Sequence, residues 1–219
     1  MRRWTTLAVV VGLLLATGGA SSADPALLET WTYAPLTQQL VVPDGGSPFS
    51  ITGGRTSWTL LGAPAVRFSR APSLAVQTSD TFVAPGSADF TYSAVMSVDE
   101  VRARSSANVF QYGRYGTQQI KLQLTATGKA QCVLRGTGGR VKVTSRAPSL
   151  DDGGRQHTFA CWRSGGTVGV TLDSQTTAKA FALGSVVPTG RATAGNKSLT
   201  GDASDQLFGK IWSVSVSVG

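Results

Sequence analysis

Glutamate occurs only at Glu29 and Glu100, histidine only at His157, and cysteine only at Cys132 and Cys161. Each scarcity removes a class of chemistry. Retaining glycoside hydrolysis needs two carboxyl groups about 5–5.5 Å apart. Glu29 and Glu100 are isolated, and Asp151 and Asp152 are adjacent in a turn where their side chains diverge. A zinc centre needs more His and Cys donors than one histidine and two pairing cysteines supply. Any His-dependent nucleophilic mechanism would have to use His157, with a nucleophile and an orienting acid around it. No stretch after the N-terminus carries helical periodicity. No second apolar run is long enough to span a bilayer, so no membrane span is expected in the mature chain. No internal repeat of fixed period occurs, which argues against propellers and solenoids. Beyond Arg2 and Arg3 no two Lys or Arg residues adjoin, so nucleic acid is not an expected partner despite a net charge of +8.

The chain opens with a positive Arg2-Arg3 pair, a short apolar run from Leu7 to Leu15, and then small residues. Ser21 and Ala23 suit cleavage before Asp24, with Ala20 as an alternative, so residues 1–23 are expected to be a Sec-type signal peptide and the protein to be secreted. About 196 residues remain, a size at which all-β sandwiches form single domains. Their formal charge falls to about +6. A basic exported protein can meet anionic glycans, wall polymers or phospholipid, or its charge can serve solubility alone.

Residues 24–64 read as an N-terminal strand and extension leading into a domain that occupies residues 65–219. Within that domain, runs of five to eight residues rich in β-branched side chains alternate with Gly-containing breaks. Phe90, Tyr92, Ala94, Met96 and Val98 share one side of the longest run. Ile120, Leu122 and Leu124 point inward while Lys121 and Gln123 point outward; Val141 and Val143 alternate likewise with Arg140 and Lys142. In the last run Trp212, Val214, Val216 and Val218 are expected opposite Ile211, Ser213, Ser215 and Ser217. The runs around the two cysteines follow one another closely. They are expected to form one antiparallel sheet in which a disulfide ties the second strand to the fourth. Closing a loop of about 30 residues would stabilise the fold by roughly 3–4 kcal/mol. The fold class is all-β, a two-sheet antiparallel sandwich or jelly roll.

The segments GSADFTYSAVMSV, QIKLQL, DDGGRQHTFACWRSGGTVGVTLDS and FGKIWSVSV, in that order, resemble the laminin G-like members of the concanavalin A-like lectin/glucanase superfamily, in its secreted actinobacterial form with one disulfide. Gln156 stands where the family pattern has Trp, Ser174 where it has Gly, and Trp212 where Asp is common. The resemblance implies two curved sheets packed face to face and makes His157 a structural, hydrogen-bonded histidine. It also implies Ca²⁺ at one rim, with Asp80, Asp89, Asp202 and Asp205 as candidate donors; the alternative use of such residues is to close turns. The E-x-D-x-x-E pattern of the enzymatic relatives is missing, so catalysis is not expected.

The remaining candidates form an outward basic set. Lys121, Arg140 and Lys142 lie on neighbouring strands, Arg114 and Tyr115 precede them in a loop, and Gln131 and Arg135 can reach the same side. Such a set suits an acidic sugar or phosphate, or it is an ordinary solvated sheet face. Trp162, facing away from Cys161, is a candidate for stacking on a sugar or for cover by a loop. The expected function is a secreted, non-catalytic module for carbohydrate recognition or cell-surface adhesion. The alternatives are a structural or protein-interaction domain and, more distantly, a glycoside hydrolase.

Overall fold

The computed structural model describes residues 65–69, 82–102, 106–198 and 205–219 with their side chains, and the backbone of the strands that lie outside them. The signal-peptide reading, Asp80 and Asp202 fall outside the described residues. In chain order the strands are β1 (Leu27–Ala34), β2 (Gln39–Val41), β3 (Phe49–Thr52), β4 (Arg55–Trp58), β5 (Pro64–Phe68), β6 (Leu74–Gln77), β7 (Phe90–Glu100) and β8 (Ala107–Tyr112). They continue as β9 (Gln119–Leu124), β10 (Ala130–Gly136), β11 (Gly139–Thr144), β12 (His157–Ser164), β13 (Thr167–Leu172), β14 (Gln175–Ala180), β15 (Thr193–Ala194) and β16 (Phe208–Val218). Every pairing is antiparallel. Among the described residues no helix is long and apolar enough to cross a membrane.

The strands build a two-layer sandwich. One layer runs β11-β10-β9-β8-β15-β6-β3 and the other β1-β16-β7-β12-β13-β14, with the short β2 bridging them. The layers face each other where β9, β10 and β11 approach β12, β13 and β14. β1 to β4, drawn from the segment read as an extension, join these ladders: β1 pairs with β16, β3 with β6 and β4 with β5. The core follows from strand alternation. Phe90, Tyr92, Ala94, Met96 and Val98 are buried on one side of β7, opposite Ile120, Leu122, Leu124, Cys132 and Leu134 from the other layer.

Two details depart from simple alternation. β16 shifts register against β7 between Ile211 and Ser213, leaving Trp212 as the extra residue of a bulge. The shift brings Ile211, expected on the serine side, into the core with Val214 and Val216, while Trp212 is buried outside that cluster. The second departure concerns the cysteines. β9, β10 and β11 are neighbours, but β11 does not pair with β12; β12 pairs with β7 and β13 in the opposite layer. The connection from Ser145 to Gln156 is too long for a tight hairpin and crosses between the layers. The Cys132–Cys161 disulfide, with Cα atoms 5.2 Å apart, therefore staples the two sheets across the core instead of tying strands within one sheet.

One end of the sandwich is closed by a buried guanidinium. Arg163 at the end of β12 donates to the carbonyls of Gly184 (2.5 Å), Gly86 (3.1 Å) and Ala88, and lies 5.0 Å from the Phe90 ring centre. Gly86 and Val186 bridge beside it. Replacing both cysteines by serine is expected to lower the unfolding free energy by about 3 kcal/mol while the β-sheet circular dichroism persists. A guanidinium chloride titration measures the loss, and an unchanged midpoint would show that packing alone joins the sheets.

Candidate functional site

The outer face of β8–β11 carries the site, and its residues are set by strand register. One rung across the sheet places Gln111, Lys121, Val133 and Lys142 side by side. A second rung places Gln119, Arg135 and Arg140 in line. A third joins Gln123, Gln131 and Thr144, where Gln123 Nε2 donates to Gln131 Oε1 (2.6 Å) and Gln131 Nε2 to Thr144 Oγ1 (2.7 Å). The loop between β8 and β9 forms one wall. Gly113 opens it at φ +87, and a Cβ there would stand 2.2 Å from the Gln118 carbonyl, so a side chain is excluded. Thr117 donates through its backbone N (3.2 Å) and its hydroxyl (2.9 Å) to the Arg114 carbonyl. That turn leaves Tyr115 81% exposed, with the Arg140 guanidinium 5.4 Å from its ring centre.

The opposite wall includes residues 195–198 and 205–207, between β15 and β16. A buried amide clasp holds its base: Asn196 Nδ2 donates to Gln206 Oε1 (3.0 Å), and Gln206 Nε2 donates to the Gly195 and Leu207 carbonyls (3.0 and 2.9 Å). The clasp sets Lys197 and Asp205 against the sheet. There the Asp205 carboxylate accepts from Lys121 Nζ (3.3 Å), Ser106 Oγ (3.0 Å) and Lys197 Nζ. Between the walls lies a groove of about 590 Å³. Among the described residues, Arg114, Lys121, Arg140, Lys142 and Lys197 line it against a single carboxylate, Asp205.

The electrostatics of the Lys121–Asp205–Lys197 cluster are uneven. Burial by itself would raise the Asp205 carboxyl, but the Lys197 hydrogen bond, the Lys121 charge and the Ser106 hydroxyl outweigh it and hold the group below the usual carboxylate value. Burial pushes the Lys121 ammonium below the usual lysine range. Asp205 only partly offsets this, because Lys197 and Arg140 add like charge. The carboxylate is thus the better satisfied partner.

No family model matches the chain, and no curated protein is similar to it in sequence. Solved structures do match. Domain 4 of AbnA, a GH43 extracellular arabinanase from Geobacillus stearothermophilus solved in complex with arabinotriose, superposes with a TM-score of 0.65 and 14% identity, covering 89% of this chain and 93% of that one. The binding domain of Paraclostridial Mosquitocidal Protein 1 gives 0.65 and 9% identity over 86% of this chain and 48% of that chain. Domains LG4-5 of the mouse laminin alpha1 chain give 0.56 and 14% over 73% of this chain and 42% of that chain. The chain thus spans about half or less of the latter two structures. The fold is a concanavalin A-like, laminin G-like β-sandwich. At these identities the likeness is one of fold.

Within this sandwich, the structure brings Arg114, Tyr115, Lys121, Arg140 and Lys142 into one groove. It does not bring Trp162 there. Trp162 lies on the outer face of the other layer, its Nε1 donating to Thr171 Oγ1 (3.1 Å) and its ring covering Gly169, where a Cβ would come within 2.2 Å of it. Alternation placed it outward correctly, but its strand belongs to the opposite sheet. Lys121 also departs from expectation: it is only 9% exposed and engaged by Asp205 instead of facing solvent. Gln119, in alternation with Lys121, joins the groove with Gln111 and with Lys197, which lies outside any strand and which no local pattern signalled.

The calcium expectation does not suit the donors described. Asp205 sits between two ammonium groups, which would repel a dication. Asp89 closes the β12–β13 turn, accepting from Gly165 N (2.8 Å) and Ser164 Oγ (3.2 Å). Among the described residues no three His, Cys, Asp or Glu side chains form a metal-ligating group. His157 lines a separate cavity with two carboxylates, its Nδ1 2.8 Å from Asp173 and its Nε2 2.8 Å from Asp152.

Because Asp205 titrates low in the folded protein, its contribution to stability is present above the unfolded carboxylate pKa of about 3.9 and is lost as pH falls through the lower folded value. Asp205→Asn, which strands the Lys121 charge, is expected to cost about 3 kcal/mol at neutral pH and to flatten the acid limb. Melting temperatures measured from neutral to acid pH check this; parallel curves for both proteins would refute it.

Proposed function

We propose that the protein is a secreted, non-catalytic carbohydrate-binding module that takes its glycan in the groove on the outer face of β8–β11. The observation that carries this reading is the exposed Tyr115 ring backed by Arg140 at the wall of a groove floored by Gln111, Gln119 and Gln123. An aromatic face suits the apolar side of a sugar ring, and side-chain amides suit its hydroxyls. Arg140 and Lys142 are both exposed and add charge-assisted donors for acidic substituents. The arabinotriose complex of AbnA domain 4 supports the reading as an instance of this fold holding a sugar.

The absence of catalysis in this reading is supported by the donor set. Among the described residues Asp205 is the single carboxylate lining the groove, and it is tied to two ammonium groups and a hydroxyl. Hydrolysis with retention would require a second carboxyl group about 5–5.5 Å away. Export is supported by the signal-like N-terminus and by the disulfide.

A second reading, a protein-interaction domain, draws on the outer face of the other layer. Thr91 and Ser93 of β7, Thr158 of β12, Thr171 of β13 and Ser213 of β16 present hydroxyls there without charge. A glycan array run on the purified protein with and without Ca²⁺ separates the two readings. Binding to acidic glycans that is independent of Ca²⁺, and that Arg140→Glu with Lys142→Glu abolishes, is the expected result. Unchanged binding by the double variant would remove the groove as the site, and an array without signal would favour the protein partner.

A further inference from the structure

The groove leaves Trp162 unused, and the setting of that side chain on the outer face of the other layer is specific. Strand register lays two rungs across this face. One runs through Ser217, Thr91, Trp162, Gly169 and Ala178, from β16 to β14. The next runs through Ser215, Ser93, Ala160, Thr171 and Thr176. Neither rung holds a charge. Arg163 and Lys179 stand opposite Val168 in the ladder and share its core-facing side. Asp99, Glu100 and Lys210 lie toward the other ends of β7 and β16. The indole is held against the sheet. A Cβ on Gly169 would stand 2.2 Å from Trp162 Cζ2 and 2.4 Å from Cε2, so the bare glycine is what lets the ring lie on the strand. Trp162 Nε1 donates to Thr171 Oγ1 (3.1 Å), which is 3.0 Å from Thr176 Oγ1, and this chain fixes the ring's orientation. One face of the ring thus meets the backbone, while the residue is only half-buried and keeps its other face toward solvent.

We infer that the outer face of β16, β7, β12, β13 and β14 is a second binding site, for a neutral polysaccharide chain, with one sugar ring stacked on Trp162 and the flanking sugars hydrogen-bonded by Thr91, Ser93, Ser217 and Thr176. The site is separate from the groove and does not depend on it. The indole's polar edge is already tied to Thr171, so the ring turns an apolar face outward, which suits the apolar side of a sugar. Hydroxyls both donate and accept, as the hydroxyls of a sugar do. A charged ligand would lose hydration on these rungs and find no counter-charge in return. From β16 to β14 the sheet order counts four strand spacings, about 19 Å, which is room for a chain of sugars instead of one. Trp162 is the single large apolar side chain on the two rungs, whereas the core of a protein interface is built from several. Shielding of the Gly169 backbone occupies one face of the indole and leaves the other free for the ligand.

The test is isothermal titration of the purified protein with neutral oligosaccharides prepared from arabinan, galactan, xylan and mixed-linkage β-glucan. At least one neutral series is expected to bind with an affinity indifferent to added salt, because no charge pair forms. Trp162→Ala is expected to weaken that binding about tenfold, the loss of one stacked ring, while Trp162→Phe keeps most of it. Thr91→Lys, which leaves the indole in place and sets a long charged side chain beside it, is expected to weaken binding as well. Saturating the protein first with oligogalacturonate is expected to leave the neutral titration unchanged, since the acidic ligand belongs to the groove. Melting curves show which variants are folded, and if Trp162→Ala is not, Thr91→Lys decides. Neutral binding that survives both Trp162→Ala and Thr91→Lys would overturn the assignment to this face, and so would displacement by oligogalacturonate. Binding that falls with salt would overturn the neutral character of the site. If no neutral series bound, the polysaccharide assignment would fall, and self-association in sedimentation that Thr91→Lys abolishes would give the face to a second copy of the chain. Each of these results leaves the acidic-glycan reading of the groove standing, because that reading is tested on Arg140 and Lys142.

Discussion

Burial of one face of each sheet against the other is the constraint on which the remaining features depend. Tyr92, Met96 and Phe159 from one layer meet Phe110, Leu122 and Leu134 from the other, and the Cys132–Cys161 bond joins the layers through that core. Because alternate residues of each strand are committed to this contact, the intervening residues must face outward. On β9, β10 and β11 those residues are mostly basic or amide-bearing, Val133 and Thr144 apart; on β7, β12 and β16 many are serine and threonine. The two outer faces thus acquire different chemistry from the same packing requirement.

The groove arises where a loop folds over one of these faces. Without Asp205 and Lys197 beside it, Lys121 would be one more solvated lysine on a flat sheet. The amide clasp of Asn196 and Gln206 brings Asp205 and Lys197 onto it, turning a surface charge into a buried ion cluster and giving the sheet a wall. Burial makes that cluster costly for Lys121 and favourable for the Asp205 carboxylate. Arg114, Arg140 and Lys142 line the groove around that cluster.

Legibility in the sequence tracks how local each interaction is. The facing of Lys121, Arg140 and Lys142 could be read from alternation with Ile120, Val141 and Val143, because a pleated strand leaves no other choice. Their adjacency followed from short breaks at 125–129 and 137–138, which demand hairpins. The same logic misplaced Trp162: its outward direction was correct, but the connection from Ser145 to Gln156 carries the chain to the opposite layer before the strand begins. It likewise put Ile211 on the wrong side, because a single extra residue at Trp212 inverts every facing before it.

By itself the sequence determined the all-β class, the pairing of its two cysteines and, for strands without a bulge, which residues look outward. These depend on two-residue periodicity, turn residues and the reactivity of cysteine, and each is expressed within a few neighbouring positions. Only the tertiary structure decided that the disulfide joins two sheets, that Asp205 pairs with Lys121, and that Arg114, Arg140, Lys142 and Lys197 border one groove. Those outcomes depend on where long connections set the chain down and on contacts between residues as distant as Lys121 and Asp205. No local pattern encodes them, because the free energy that selects them belongs to the packed layers as a whole.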